Sequence, residues 1–567
     1  MRVTAVASTP HSPNTPDRSH ASTRAAAPNS APAQKQRKRY EHGTSVRPYT
    51  ASQLTRIPLD RRDGWSLLLI GVFAALTRFI GLGHPVSGGT PIFDEKHYVP
   101  QAWDIVRSWD HLLIGGIESN PGYGLVVHPP LAKQIIALAE LIFGYSPWGW
   151  RAMAAFFGTG VVIATMLLAR ELTQSWNVGA FAGLLATFDG VLLVSSRFGM
   201  LDIFQVFFIT AAAWMLARDH RHMRSRMHSA WQSLADASPQ QLWPSPFGPR
   251  FGVRWWRFGA GLLLGGALAV KWSGLYYIAF FGLFCVFGDL IIRRRYGVAR
   301  PYSAVWLRDI PAALASLVLV PVLVYLWTWR AWFASETAVY RHAATDGTIE
   351  DDSWLQALPD TVASWLYYHQ SVLEFHATLT TSGGHDHPWD SKPWAWLAGV
   401  RPILYYSNTE LACPLGGSDN GCREMLFLFG TPAIWWFIVP GLLWALWAVL
   451  VRKERAFGWP LVGFAAGFVP WLAAYDRQMY FFYAAAFIPF VIALYAIILG
   501  GLAHRGRYLR WRLLTRLAGR ELTAGSVVVI VYLATVVAMF VYFSPILYGL
   551  PIPDGWYHSM MWLPSWT

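Results

Sequence analysis

The chain has 567 residues, of which 54% are hydrophobic and only 14% charged. That is about half the charge of an average soluble domain, so the composition excludes a soluble enzyme and describes a polytopic membrane protein. The formal charge of +13 sits in clusters between apolar runs, which reads as attraction to anionic lipid and not to nucleic acid.

Taken in chain order, the first sixty residues are rich in Ser, Pro, Ala and basic side chains. They cannot bury enough surface to fold, so 1–60 reads as a disordered cytoplasmic segment. It lacks the apolar core of a signal peptide, so the first span must direct insertion. Apolar runs then fall at 64–83, 149–170, 176–195, 200–217, 258–270, 273–291, 310–330, 431–451, 457–474, 479–501 and 523–549. Each approaches the roughly 20 residues a bilayer requires, which predicts an all-α bundle of about eleven transmembrane helices. The run 258–270 is short and ends at Lys271, so it could instead pair with the next run as a broken hairpin. Helices would occupy 61–330 and 431–550, leaving 331–430 as an external segment and 551–567 as an external tail.

Lys and Arg alternate with these spans. Lys35 to Arg39, Arg218 to Arg257, Arg293 to Arg308, Arg452 to Arg455 and Arg505 to Arg520 all fall on one side. Short basic loops stay cytoplasmic, so the N-terminus reads as cytoplasmic and the segments 84–148 and 331–430 as external. The second of these holds Cys413 and Cys422 around a turn-rich octapeptide. A disulfide between them is expected in an oxidising compartment, whereas Cys285 lies within a span and reads as a packing residue.

The first external segment carries the chemistry-bearing pair, Asp94-Glu95. A carboxylate at a membrane edge marks a functional site by default, although Asp94 also stands where an N-cap would. Apolar positions recur at helical spacing from Tyr98 to Ile114 and again from Leu131 to Phe143, as two interfacial helices lying in the membrane plane would require. Arg151, Lys271 and Arg477 lie in or beside spans and need anionic partners; His128 and Lys133 follow from the external loop. Snorkelling or an internal salt bridge is the alternative for each. Arg78 and Asp202 read as structural, with Asp202 neutralising a nearby arginine. Asp94, Glu95, His97 and His128 are all metal-ligand types, but no i, i+4 spacing supports a metal site.

Several of these residues stand in recognisable groups. Asp94-Glu95 follows a span containing Arg78; then come His128-Pro129-Pro130-Leu131-Ala132-Lys133, Arg151 and Ser196-Arg197-Phe198-Gly199-Met200-Leu201-Asp202. Lys271-Trp272, the run His387-Pro388-Trp389-Asp390-Ser391-Lys392-Pro393-Trp394, and Arg477 before Tyr480-Phe481-Phe482-Tyr483 complete the pattern. Over about residues 64–550 the chain resembles the protein O-mannosyltransferases. It departs from them in lacking room for the β-trefoil insert of eukaryotic members, and in having Tyr483-Ala484-Ala485 where many carry a histidine.

The resemblance implies a GT-C class glycosyltransferase at the outer face of the cytoplasmic membrane. It would move mannose from polyprenyl-phosphate-mannose to Ser or Thr of translocating polypeptides, beside the secretion channel, with no cofactor or metal. In that scheme Asp94 is the base and Glu95 orients it, while Arg151, Lys271, Arg477, His128 and Lys133 hold the donor phosphate. Arg197, with Arg78 and Asp202, is structural or lies beside the substrate, and His387, Trp389 and Trp394 belong to an acceptor loop. The residues make this chemistry feasible on their own terms. A phosphate monoester with a second pKa of about 6 leaves without a general acid. Adjacent carboxylates point to different faces and cannot flank one bond as a glycosidase pair does, so a single inverting displacement is expected. The alternatives are a GT-C enzyme acting on a lipid or cell-wall glycan, and a lipid flippase or transporter, which should show broken helices with midplane polar residues.

Overall fold

The computed structural model describes residues 46–118, 126–237, 243–385, 387–411, 421–509 and 521–567. The segment 1–45, which holds most of the predicted disordered region, lies outside them, as do Cys413 and Asp386. Every apolar run is helical. The first, α1 (Arg61–Phe79), starts where the Asp60 carboxylate accepts hydrogen bonds from the N–H groups of Arg62 and Asp63, at 2.9 and 2.8 Å, satisfying two of the orphan donors at a helix start. Two amphipathic helices follow, α2 (Glu95–Arg107) and α3 (Leu131–Phe143). The first stops short of the predicted Ile114. The Ser108 hydroxyl donates to Asp104 O at 2.7 Å and accepts the Ile117 N–H at 2.9 Å, turning the chain back on the helix end.

The bundle proper comprises α4 (Pro147–Thr173), α5 (Trp176–Thr187), α6 (Gly190–Ser195), α7 (Asp202–Ala237), α8 (Trp255–Val270), α9 (Gly274–Arg295) and α10 (Pro301–Thr328). After an external helix, α11 (Asp360–Thr378), it resumes with α12 (Pro432–Leu450), α13 (Gly458–Ala473), α14 (Ile488–Leu502) and α15 (Ala524–Tyr548). Six of these, α4, α9, α10, α12, α15 and the helical stretch ending in α13, are long and apolar enough to cross a membrane. Two apolar helices, α8 and α14, are shorter.

Lipid tails are as apolar as leucine, so membrane helices associate through close packing of small residues and not through water exclusion. Accordingly α4 presents Ala154, Ala155 and Gly158 to its neighbours, all buried. At Gly158 an added Cβ would lie 2.0 Å from Ser196 Oγ, so only glycine lets the chain after α6 approach. Two buried arginines tie α1 into this core. Arg197 donates to the carbonyls of Arg78, Ile80 and Gly81, each at 2.8 Å, capping the C-terminal end of α1. Arg78 bonds Ala74 O and Ala186 O at 3.2 Å, joining α1 to α5. Both are structural, and neither borders the cavity described below.

The external segment contains what an all-α reading omits, a three-stranded antiparallel sheet ordered β1 (Ile403–Leu411), β2 (Cys422–Leu428), β3 (Pro551–Pro553). Ile403 pairs with Leu428 and Leu411 with Cys422, with a register irregularity between Leu404 and Tyr406. Such a bulge re-aims a side chain, and here it belongs to Tyr405, which is buried against the first external segment. Cys422 is engaged in a disulfide; its predicted partner, Cys413, is outside the described residues.

Candidate active site

The two carboxylates of the acidic pair diverge, and the backbone before them is the reason. Phe93 has φ of 52°, a left-handed conformation that costs a bulky residue on the order of 1–3 kcal/mol. Its ring stacks on Tyr405 with centroids 4.2 Å apart and planes at 13°, which holds the turn in place. Asp94 then occupies the position before α2, but its side chain makes no capping hydrogen bond. It lines a cavity of about 820 Å³ together with His128, Asp202, Lys271, His376 and Arg477. The capping reading of Asp94 therefore fails.

Glu95 points the other way and is fully buried. Its Oε1 accepts from Arg151 Nε at 2.8 Å and from the Gly199 N–H at 2.8 Å. Its Oε2 accepts from Arg151 Nη2 at 2.8 Å and from the Ile92 N–H at 3.2 Å. Arg151 also donates to Leu82 O at 3.2 Å and lies over the Phe198 ring at 4.4 Å. One expectation is thereby corrected: Arg151 is a buried counter-ion whose charge is spent on Glu95, and it does not border the cavity as a phosphate ligand would. Glu95, expected to orient Asp94, is likewise off the cavity wall. A side chain on Gly199 would meet Trp150 O at 2.9 Å, so the close approach of that N–H to Glu95 depends on glycine.

Lys133 is corrected on the same ground. It is buried, pairs with Glu118 and donates to His128 O at 2.9 Å, away from the cavity. Lys271, by contrast, stands at the C-terminal end of α8 and on the cavity wall, where the helix dipole favours a cation. Its ammonium meets Asp202 Oδ1 at 2.7 Å, so Asp202 neutralises a lysine and not the expected arginine. Gln205, one turn along α7, donates to Lys271 O at 3.0 Å and to Ala267 O at 3.2 Å, and accepts from Ser273 Oγ at 3.0 Å. Sequence reasoning missed Gln205 and Ser273. The spacing of Asp202 and Gln205, three apart and so on one helix face, was the available sign.

Arg477 meets His376 of α11, with Nη2 3.1 Å from Nδ1. His376 lies 5.7 Å from His128 between ring centroids. Among the described residues, Arg477 Nε and Asp202 Oδ2 are buried without a hydrogen-bond partner. His376 was also missed, although it shares a helix face with His369, seven residues earlier. That second histidine stacks on Trp272 at 5.5 Å and bonds Tyr325 Oη at 2.7 Å.

The run His387–Trp394 does not border the cavity. Lys392 bonds Asp390 at 2.9 Å and Arg477 O at 2.9 Å, and the Met479 N–H donates to Asp390 Oδ1 at 2.9 Å. The motif thus pins the irregular segment that presents Arg477 and Tyr480. His387 packs edge-on against Tyr480, a cavity residue, at 5.2 Å, Trp389 packs on Phe427, and Trp394 is exposed.

Burial foremost pushes the Asp94 carboxyl up to about 6; His97 and Lys271 pull it down and Asp202 adds to the rise. Burial likewise holds His128 well below the ordinary imidazole range, helped by Lys271, and His376 down at about 4, helped by Arg477. At neutral pH the site therefore presents the Asp94 carboxylate, ionised but still basic, the Lys271–Asp202 pair, the Arg477 guanidinium and two neutral imidazoles.

The family model for the C-terminal four-transmembrane region of protein-O-mannosyltransferase matches residues 361–566, and that for dolichyl-phosphate-mannose-protein mannosyltransferase matches 143–238. A polyprenol-phosphate-mannose–protein mannosyltransferase of Corynebacterium glutamicum is 58% identical over 506 residues, covering 89% of this chain and 94% of that protein. Its namesake in Mycobacterium tuberculosis is 44% identical over 511 residues, covering 90% and 93%. The solved S. cerevisiae protein O-mannosyltransferase Pmt1-Pmt2 complex bound to the sugar donor shares the fold, with a TM-score of 0.67 at 16% identity over 92% of this chain and 95% of that one.

Proposed function

The chain belongs to the protein O-mannosyltransferase family, and from that premise we propose how its cavity moves mannose from a polyprenyl-phosphate carrier to protein, with Asp94 as general base and Lys271 and Arg477 as the phosphate clamp. The observation that carries this reading is the position of Asp94: a carboxylate that makes no capping hydrogen bond, on the wall that also holds Lys271, Arg477 and two neutral histidines. The acceptor is a Ser or Thr hydroxyl of a translocating polypeptide. Its oxygen attacks the anomeric carbon as its proton passes to Asp94, and the bond from that carbon to the phosphate oxygen breaks with inversion. The electron pair leaves on polyprenyl phosphate, where Lys271, Arg477 and the N–H of His128 meet the developing charge, while His376 accepts from Arg477 and holds it in place. Fixed donors in a partly desolvated site stabilise such charge most effectively. Asp202 and Gln205 hold Lys271 at that position, and Arg151 holds Glu95 so that the turn bearing Asp94 stays fixed.

The distribution of Lys and Arg supports a reaction at the outer face of the cytoplasmic membrane, with the N-terminus inside. It requires no cofactor or divalent metal, because Lys271 and Arg477 supply the positive charge that a metal would otherwise bring. The test uses proteoliposomes of the full chain, supplied with radiolabelled polyprenyl-phosphate-mannose and a Ser/Thr-rich peptide, with and without chelator. Label on the peptide in O-linkage, unchanged by chelator, is the expected result. Label only in lipid or glycan would overturn the protein acceptor, and loss on chelation would overturn the metal-free clamp.

A further inference from the structure

The opposite end of the bundle carries a second built site. Asp202 and Lys271 of the catalytic cavity stand at one end of α7 and α8. Arg218 and Arg221 lie roughly 24 and 28 Å further along α7, and Trp256 a similar distance back along α8, at 1.5 Å per residue. There a pocket of about 480 Å³ is lined by Arg56, Arg218, Arg221, His222, Glu171 and Trp256, among others. Among the described residues, Glu171 is the sole carboxylate on its wall and is already taken. Arg221 bonds it through Nε at 2.8 Å and bonds its carbonyl at 2.6 Å, whereas Arg218 comes no nearer than 3.8 Å. The pocket therefore keeps an excess of positive charge.

The surroundings fix both its shape and its level. Arg218 lies over the Trp256 ring at 4.1 Å, which orients the guanidinium. Arg56 sits on a strap held against the end of α4: the Ile57 N–H donates to Gln174 Oε1 at 2.9 Å, and Arg170 donates to Pro58 O at 3.0 Å. Arg170 itself is neutralised by Asp63 at 3.0 Å. Ile57, next to Arg56, and Trp255, next to Trp256, are 51% and 72% exposed, and further along the strap and at the start of α1 Leu59 and Trp65 are 51% and 61% exposed. Exposed tryptophans beside aliphatic side chains, at the ends of apolar helices, mark the interfacial plane of a bilayer.

We infer that this pocket binds the phosphate headgroup of an anionic membrane lipid, with Arg56 and Arg218 as its ligands and Ile57, Leu59 and Trp65 against the acyl chains. The ligand chemistry is a phosphate oxyanion, which free phosphate shares; the apolar rim selects the lipid. Each arginine near a lipid surface contributes on the order of fivefold in affinity.

Native mass spectrometry of the full chain released from nanodiscs of phosphatidylglycerol and phosphatidylcholine tests the assignment. The wild type retains phosphatidylglycerol in preference to phosphatidylcholine, and millimolar inorganic phosphate does not displace it. Arg56→Gln/Arg218→Gln lowers retained phosphatidylglycerol about twenty-five-fold, with mannosyl transfer within about twofold of wild type. Arg56→Gln alone, at an exposed position, lowers retention about fivefold even should the double variant fail to fold. Unchanged retention in Arg56→Gln overturns the proposal, and displacement by inorganic phosphate makes it a free-anion site and overturns the lipid.

Discussion

Asp94→Asn is expected to lower kcat for mannosyl transfer by roughly two to four orders of magnitude, the usual contribution of a positioned general base, while leaving donor affinity within a few-fold. Asparagine keeps the shape and half of the acceptor capacity but cannot take a proton from the hydroxyl. Because the Asp94 side chain makes no capping bond, the fold does not depend on its charge. The substitution also removes a buried carboxylate that is disfavoured by desolvation, so the thermal midpoint should hold or rise. Donor binding by a labelled lipid analogue and transfer to peptide, measured on the same preparation, separate the two effects. A variant retaining more than about a tenth of wild-type kcat would move the base elsewhere.

Glu95→Gln should act through stability instead. Both oxygens of Glu95 accept two hydrogen bonds each, from Arg151, Gly199 and Ile92. An amide in either orientation turns one acceptor into a donor facing two donors, and leaves the Arg151 charge uncompensated in a buried setting. Breaking a buried ion pair in this way costs about 3–5 kcal/mol. The expected outcome is a lower thermal midpoint and poor yield, with kcat of the surviving protein reduced as the Phe93–Asp94 turn loosens. A variant as stable as wild type would show that the pair does not hold the turn.

These expectations mark where the sequence was legible. The apolar runs announced where the bundle is helical, down to the end of α8 at Lys271, because hydrophobic length is a local property, although the single run 176–195 holds two helices, α5 and α6. Asp94, Lys271 and Arg477 were identifiable as charges at membrane edges. What could not be read was which charge answers which. Arg151 and Lys133 looked like free cations because Glu95 and Glu118 lie 56 and 15 residues away in sequence, and only the fold brings them together. Asp202 was expected to meet an arginine and meets Lys271 for the same reason. His376 and Gln205 were passed over since a polar residue on a helix has no meaning until the opposite wall is known. The sheet escaped because β3 comes from the far C-terminus, and the motif at His387–Trp394 suggested substrate contact where its Asp390 and Lys392 serve to brace Arg477.

The most direct test of Asp94 as the base is the pH dependence of kcat/KM for peptide mannosylation by wild-type protein, between about pH 4.5 and 8. The active form is the carboxylate. With its pKa raised to about 6, the rate should be level above neutrality and fall tenfold per unit below pH 6. His376, held at about 4, stays neutral through most of that range and does not blur the limb. A profile that stays flat down to pH 5 would contradict the account, because a carboxylate buried in this cavity would already be protonated there.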